Sequence, residues 1–209
     1  MGDEITITDR IDNELWTSVA GMIVEAVPNT IIAKLGRTFA AAFYKNISIQ
    51  GFSCAYIGID NSGKIASVII GSLDHSRAYS VAMKTQRLKL AFYANFRLLR
   101  WAVISWVVKG IIAKIKSEAQ PVKSRPKARL ILIVVRPDLR GGGLAAALVE
   151  KMEEFMLEGN IPGPYFILTE KENKRANRFY EKIGANFIGT NLYRGREINE
   201  WRKLIKQDM

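Results

Sequence analysis

The chain has 209 residues, 48% of them apolar, a formal net charge of +11 and a single cysteine. This is enough apolar material for a packed domain and too mild a charge imbalance for a disordered chain. Cys54 alone excludes an internal disulfide framework and a cysteine-based metal cluster, and no metal is expected.

The opening MGDEITITDR has no apolar signal core, which with the lone cysteine reads as a cytoplasmic protein. Ile5–Thr8 alternates as a short strand does. Two helices are predicted next, over Asn13–Ala26 and Thr30–Asn46, separated by Pro28, with Asn29 or Thr30 able to cap the second. Phe52–Asp60 and Lys64–Leu73 are β-rich runs joined by Asn61-Ser62-Gly63, a hairpin signal. From about 76 to 118 the pattern is helical and basic, an insertion within one domain spanning 1–209. Gln120–Lys127, with Pro121 and Pro126, is a connector.

Leu130–Val135 is an unbroken apolar run, as expected of a central strand buried on both faces. Gly142–Glu158 places Leu144, Ala147, Leu148, Met152, Phe155 and Met156 on one helical side. Tyr165–Thr169 is a further strand, and strand–helix–strand implies a right-handed parallel crossover. Asn173–Ile183 is a helix with Ala176, Phe179, Tyr180 and Ile183 at helical spacing, and Gly184 is suited to end it in a left-handed conformation. Strands over Ala185–Leu192 and Glu197–Leu204 follow.

Between the apolar run and its helix lies Val135-Arg136-Pro137-Asp138-Leu139-Arg140-Gly141-Gly142-Gly143-Leu144-Ala145. Consecutive glycines let the backbone turn sharply and leave its N–H groups unobstructed. At a helix N-terminus such donors and the macrodipole favour an anion, so a phosphate-bearing ligand is expected. A glycine-rich connection made only for tight packing is the plainer alternative. No Gly-Lys-Ser/Thr follows, which excludes a Walker loop, and the spacing is not Gly-x-Gly-x-x-Gly.

Arg140-x-x-Gly143-x-Ala145 resembles the Arg/Gln-x-x-Gly-x-Gly/Ala signature of the GNAT acetyltransferases, and Val135-x-Pro137 before it looks like that family too. Asn173-x-x-Ala176-x-x-x-Tyr180-Glu181-Lys182-Ile183-Gly184 is similar to the family's second signature. The resemblance implies an α/β fold with a mixed, mostly antiparallel sheet, one parallel crossover and helices on both faces. It implies acetyl-coenzyme A as co-substrate, with the backbone of Arg140, Gly141, Gly142, Gly143, Leu144 and Ala145 on the pyrophosphate. A backbone N–H near Val135 would polarise the thioester carbonyl, Asn173 would contact the pantetheine, and Tyr180 would lie near the sulfur.

Acyl transfer to an amine needs a neutral amine, a polarised carbonyl and a proton or hydrogen bond for the leaving thiolate. Tyr180 can serve the last role as general acid; as a residue of an amphipathic helix it could equally be a core aromatic. Many family members place an acid on the strand before Val-x-Pro, but here the run is Ala128-Arg129-Leu130-Ile131-Leu132-Ile133. The base candidate is then Glu170, at the end of the following strand, where partial burial would raise its pKa; an exposed acid in a polar run is the alternative. His75, the single histidine, is a loop residue that could be solvated or act as base, and Cys54 reads as a small strand hydrophobe.

The charge is unevenly spread. Residues 74–130 hold thirteen Lys and Arg against two acids, and the rest of the chain is formally neutral. Within the insertion, apolar stretches are broken by Arg97, Arg100 and Lys109, which argues against a membrane span. A cover for a sheet face, a lid over an anionic acceptor such as a nucleotide-linked amino sugar, and contact with a membrane surface all stay open. The layout also resembles family members of bacterial surface-polysaccharide pathways. The expected partner is a small-molecule amine acceptor, with a protein or peptide amine, or a non-catalytic acyl-coenzyme A-binding module, as alternatives. No nucleic acid is expected, since no reading motif accompanies the charge. A homodimer is compatible with the sequence.

Overall fold

Alternation along the β-rich runs sends successive side chains to opposite faces, and the amphipathic helices cover both. The computed structural model describes residues 4–85, 125–159, 163–193 and 195–205; residues 86–118 of the expected insertion, and most of the connector after it, lie outside them. One sheet is built from β1 (Thr6–Thr8), β2 (Ser53–Ile59), β3 (Ile65–Ser72), β4 (Arg129–Val135), β5 (Tyr165–Glu170), β6 (Asn186–Tyr193) and β7 (Arg196–Lys203), in the order β1-β2-β3-β4-β5-β7-β6. β4 and β5 run parallel and every other neighbouring pair is antiparallel. The helices are α1 (Asn13–Ala26), α2 (Ile31–Lys34), α3 (Arg37–Ser48), α4 (75–85), α5 (Leu144–Glu158) and α6 (Lys174–Lys182). This is the mixed, mostly antiparallel α/β arrangement expected from the sequence.

On one face Trp16, Val19 and Ile23 of α1 and Phe39, Phe43 and Ile47 of α3 pack on Ile57, Val68 and Ile70. On the other, Leu148, Met152 and Met156 of α5 and Tyr180 of α6 meet Cys54, Ile69, Leu130, Ile167 and Trp201. Each fully buried side chain of this size contributes about 1.5–3 kcal/mol. Gly71 sets how closely α5 approaches: a Cβ there would stand 2.6 Å from Met152 Cγ.

Local chemistry fixes the ends of these elements. Asp12 caps α1 by accepting from Leu15 N at 2.8 Å, and Thr30 caps α2 by accepting from Ala33 N at 3.3 Å. In the β2–β3 turn, Asp60 Oδ1 accepts from Ser62 N at 2.9 Å and Lys64 N at 3.0 Å. Its other oxygen pairs with Arg136 Nη1 at 2.7 Å, tying that turn to the end of β4. Gly184 takes φ 81, the left-handed stop expected after α6.

Two expectations are corrected. The single helix over Thr30–Asn46 is two helices, because Gly36 adopts φ 96 between α2 and α3, outside the helical region. The apolar run of β4 is not buried on both faces: Leu130 and Val134 are buried, but Ile131, Leu132, Ile133 and Val135 are half-buried. The reason is that β5 leaves β4 after its second residue.

Candidate active site

β4 and β5 pair only at Arg129↔Phe166 and Leu130↔Ile167. Beyond Leu130, β4 stays paired with β3 as far as Val135, and β5 stays paired with β7 as far as Glu170. The two strands therefore diverge, closed at Arg129 and open between Val135 and Glu170. A bulge assists: the β3–β4 register shifts between Ile70 and Gly71, so Leu132 and Leu130 are paired and Ile131 is skipped.

The glycine loop stands at the open end. Gly141 has φ 91 and Gly143 φ 86, so the backbone turns into α5 through two left-handed positions that disfavour a side chain. Gly143 caps α5 without a side-chain hydrogen bond. Ala146 N and Ala147 N are the first donors to reach back, both to the Gly143 carbonyl, at 2.9 and 3.1 Å. The Leu144 and Ala145 amides precede them and have no carbonyl within the helix to bond. Arg140 Nε donates to Val135 O at 3.0 Å, closing the loop over the strand end. The Arg140 guanidinium has its pKa lowered by desolvation and then by the charge of Arg175 on α6, so a second exposed cation stands near Arg140. A cleft of about 510 Å³ borders the loop on the α1 side, lined among others by Arg37, Lys64, Val135, Arg136 and Arg140.

Tyr180 is buried and packs between Phe179 and Trp201, with ring centroids at 5.5 and 6.4 Å. Burial raises its pKa, and the charge of Arg129 pulls weakly the other way, so the phenol keeps its proton at neutral pH and remains a donor. Asn173 caps α6, its Oδ1 accepting from Ala176 N at 3.1 Å. Glu170 is half-buried at the end of β5, where its Oε1 is held by Arg196, whose other nitrogen donates to the Asn29 carbonyl at 3.1 Å. The structure thus sets Val135, the glycine loop, Asn173 and Glu170 around the mouth between β4 and β5, with Tyr180 on the α6 side.

Two residues are brought to this region that the sequence reading passed over. Asn177 sits in mid-α6 and bonds both strand β7 and the β5–α6 turn; an asparagine inside a helix, where its propensity is poor, was the available signal. Arg175 is the other, on the exposed first turn of α6. Nothing in its spacing distinguished it from a solvated base. His75, by contrast, is not a solvated loop residue. It opens α4, and its Nε2 lies 2.9 Å from Arg129 Nη1. Cys54 is buried in the α5-side core, and burial pushes its thiol up to about 12.

The family model described as the acetyltransferase (GNAT) family matches residues 50–185. The chain belongs to the GNAT acetyltransferase family. GNAT enzymes transfer acetyl from acetyl-coenzyme A, which is therefore the co-substrate. The uncapped amides of Leu144 and Ala145, with Arg140 and Arg175 beside them, fit a diphosphate by charge and by donor supply. Several solved structures share the fold over nearly the full chain. An acetyltransferase of the GNAT family from Streptococcus pneumoniae has TM-score 0.58 and 14% identity, covering 97% of this chain and 100% of that one. One from Staphylococcus aureus Mu50 has TM-score 0.59 and 11% identity, covering 97% and 100%. The structure named SsHAT has TM-score 0.63 and 17% identity, covering 98% and 100%. At such identities the likeness concerns the fold. No curated protein sequence matches the chain significantly. No helix among the described residues is long and apolar enough to cross a membrane.

Proposed function

We propose that this GNAT enzyme acetylates the primary amine of a small molecule by direct attack on the thioester, with the amine entering from the α1–α3 side of the sheet. The observation that supports it is the divergence of β4 from β5 after Leu130, which opens a passage through the sheet beside a buried phenol. Acetyl-coenzyme A supplies the activated acyl group. The amides of Leu144 and Ala145 and the guanidiniums of Arg140 and Arg175 hold its diphosphate. Arg140 to Ala145 form the cradle, and Asn173 flanks the pantetheine arm. A backbone N–H near Val135, on the diverging strand, donates to the thioester carbonyl.

In the transfer step the amine nitrogen bonds to the acyl carbon and the carbon–sulfur bond breaks. Glu170 takes the proton from the amine through Oε2, since Arg196 occupies only Oε1. Tyr180 gives its proton, or a hydrogen bond, to the departing sulfur. Direct attack fits better than a covalent relay, because Cys54 is buried and held protonated. An amino sugar is one acceptor of the proposed class.

The test is thiol release from acetyl-coenzyme A across a panel of primary amines, with mass spectrometry of the product. An acetyl amide formed in step with thiol release is expected. Acetyl-coenzyme A binding with no turnover on any amine, or acetyl found on an oxygen, would overturn the reading.

A further inference from the structure

Arg129, at the closed end of the divergence, is a buried cation that makes no ion pair with any of the described residues. Its Nε is buried and has no hydrogen-bond partner among the described residues. Its Nη1 lies 2.9 Å from His75 Nε2, and its guanidinium stands 5.2 Å over the Phe166 ring. Guanidinium nitrogens only donate, so His75 must present the lone pair of a neutral imidazole. Burial, and after it the charge of Arg129, depress the His75 pKa to about 3, so no second charge forms there at working pH. The phenols of Tyr44 and Tyr79, near enough to feel Arg129, are raised above their ordinary range by burial and stay neutral. Arg125 adds further positive charge, although its own guanidinium pairs with Glu200 at 2.8 Å.

Neutral aromatic walls and one sequestered cation leave a defined chemical need. A desolvated charge lacking a partner is unfavourable, and an oxyanion that can accept from Nε relieves it. Arg129 opens β4 opposite Phe166, on the sheet face of α1 and α3, and its charge is felt by Tyr180, which packs on the other face. Phe166, opposite Arg129, precedes Glu170 by four residues on β5, so an acceptor reaching from Arg129 toward Glu170 spans about 13 Å of strand, part of it covered by the two side chains.

We propose that Arg129, positioned by His75, binds an anionic group of the acceptor, so that the enzyme selects amines carrying a carboxylate or phosphate. This rests on the acetyl-transfer reading above and adds the acceptor's charge. The charge of Arg125, which is felt at Arg129, favours the approach of such a molecule.

The experiment compares propylamine, β-alanine and 2-aminoethyl phosphate as acceptors in thiol release by the full chain. The two anionic amines should exceed propylamine in kcat/KM by about 10–100-fold, the range of a charge-assisted hydrogen bond, and the better of them identifies the oxyacid. Arg129→Met should bring the ratio close to one, while Arg129→Lys, which keeps charge but not the fork, should retain part of it. Equal use of propylamine, or an unchanged ratio in Arg129→Met, would overturn the proposal while leaving acetyl transfer intact. Absence of turnover on all three amines would count against the parent reading instead. The decision on Arg129 then falls to ¹⁵N NMR of its Nε–H, assigned by its loss in Arg129→Lys. Movement with the anionic amines and not with propylamine supports the site, and no movement refutes it.

Discussion

The indole Nε1 of Trp201 on β7 donates to Oδ1 of Asn177 on α6 at 3.1 Å. Asn199 Nδ2 shares the same oxygen at 3.0 Å, while Asn177 Nδ2 is turned toward the carbonyls of Glu170, Lys171 and Asn173 at 3.1, 3.2 and 2.9 Å. One side chain thus joins α6, which carries Tyr180, to β7 and to the turn after β5.

Asn177→Leu keeps the branched shape, with somewhat larger volume, and removes these bonds. A buried donor left unpaired costs about 1–3 kcal/mol, and Trp201 and Asn199 would each lose an acceptor. We expect a destabilisation in that range or above, read from the urea midpoint, with turnover falling as α6 loosens. A stability within about 0.5 kcal/mol of the parent, the usual range of surface substitutions, would show that α6 is held by packing alone.

Gly143→Val should weaken acetyl-coenzyme A binding at least about tenfold, or about 1.4 kcal/mol. Nothing lies within 4 Å of a Cβ at this position, so the fold should survive, but φ 86 is poorly tolerated by a branched residue. The backbone will shift and carry the Leu144 amide away. Titration calorimetry on a variant with unchanged circular dichroism checks this, and an unaltered affinity would move the diphosphate elsewhere.

Tyr180→Phe keeps the ring between Phe179 and Trp201 and removes only the hydroxyl. Loss of a general acid lowers turnover by about 10²–10⁴-fold, and acetyl-coenzyme A affinity should change little. Turnover within about twofold of the parent would make Tyr180 a core aromatic and nothing more.

Glu170→Gln retains a group for Arg196 to hold but cannot take a proton. A fall of about 10²–10⁴-fold in kcat/KM is expected at neutral pH, with partial recovery as pH rises and more of the amine is already neutral. If the variant keeps the parent's rate and pH profile, the proton leaves by another route.

His75 gives a pH-dependent stability. Its folded pKa, about 3, lies below the ordinary 6.5, because burial and Arg129 disfavour the imidazolium. Above 6.5 neither state binds the proton and the group is silent. As pH falls below 6.5 the unfolded chain is protonated first, so stability declines by up to about 1.4 kcal/mol per pH unit, and the decline ends near the folded pKa. Partial exposure reduces the slope. Urea unfolding of the parent and of His75→Gln between pH 7.5 and 5.5 separates this share; identical slopes would contradict it.

Much of this protein is set by local rules that the sequence carries openly. The ends of α1, the β2–β3 turn and the left-handed Gly184 follow from capping and glycine chemistry acting over a few residues. The glycine loop and the two signatures around it pointed to the family, because backbone amides on a phosphate demand particular residue types at fixed spacing. Other features arise from contacts distant in the chain. Leu130–Val135 has the composition of a fully buried strand, and only the early departure of β5 leaves its later residues half-open. Gly36 breaks a continuous helical pattern because α3 must turn back onto α1. His75 and Arg129 are 54 positions apart, and Asn177 and Trp201 are 24 apart, so no periodicity links them. Their meeting is decided when the sheet and its covering helices assemble, since a hydrogen bond constrains distance in space and leaves distance along the chain free.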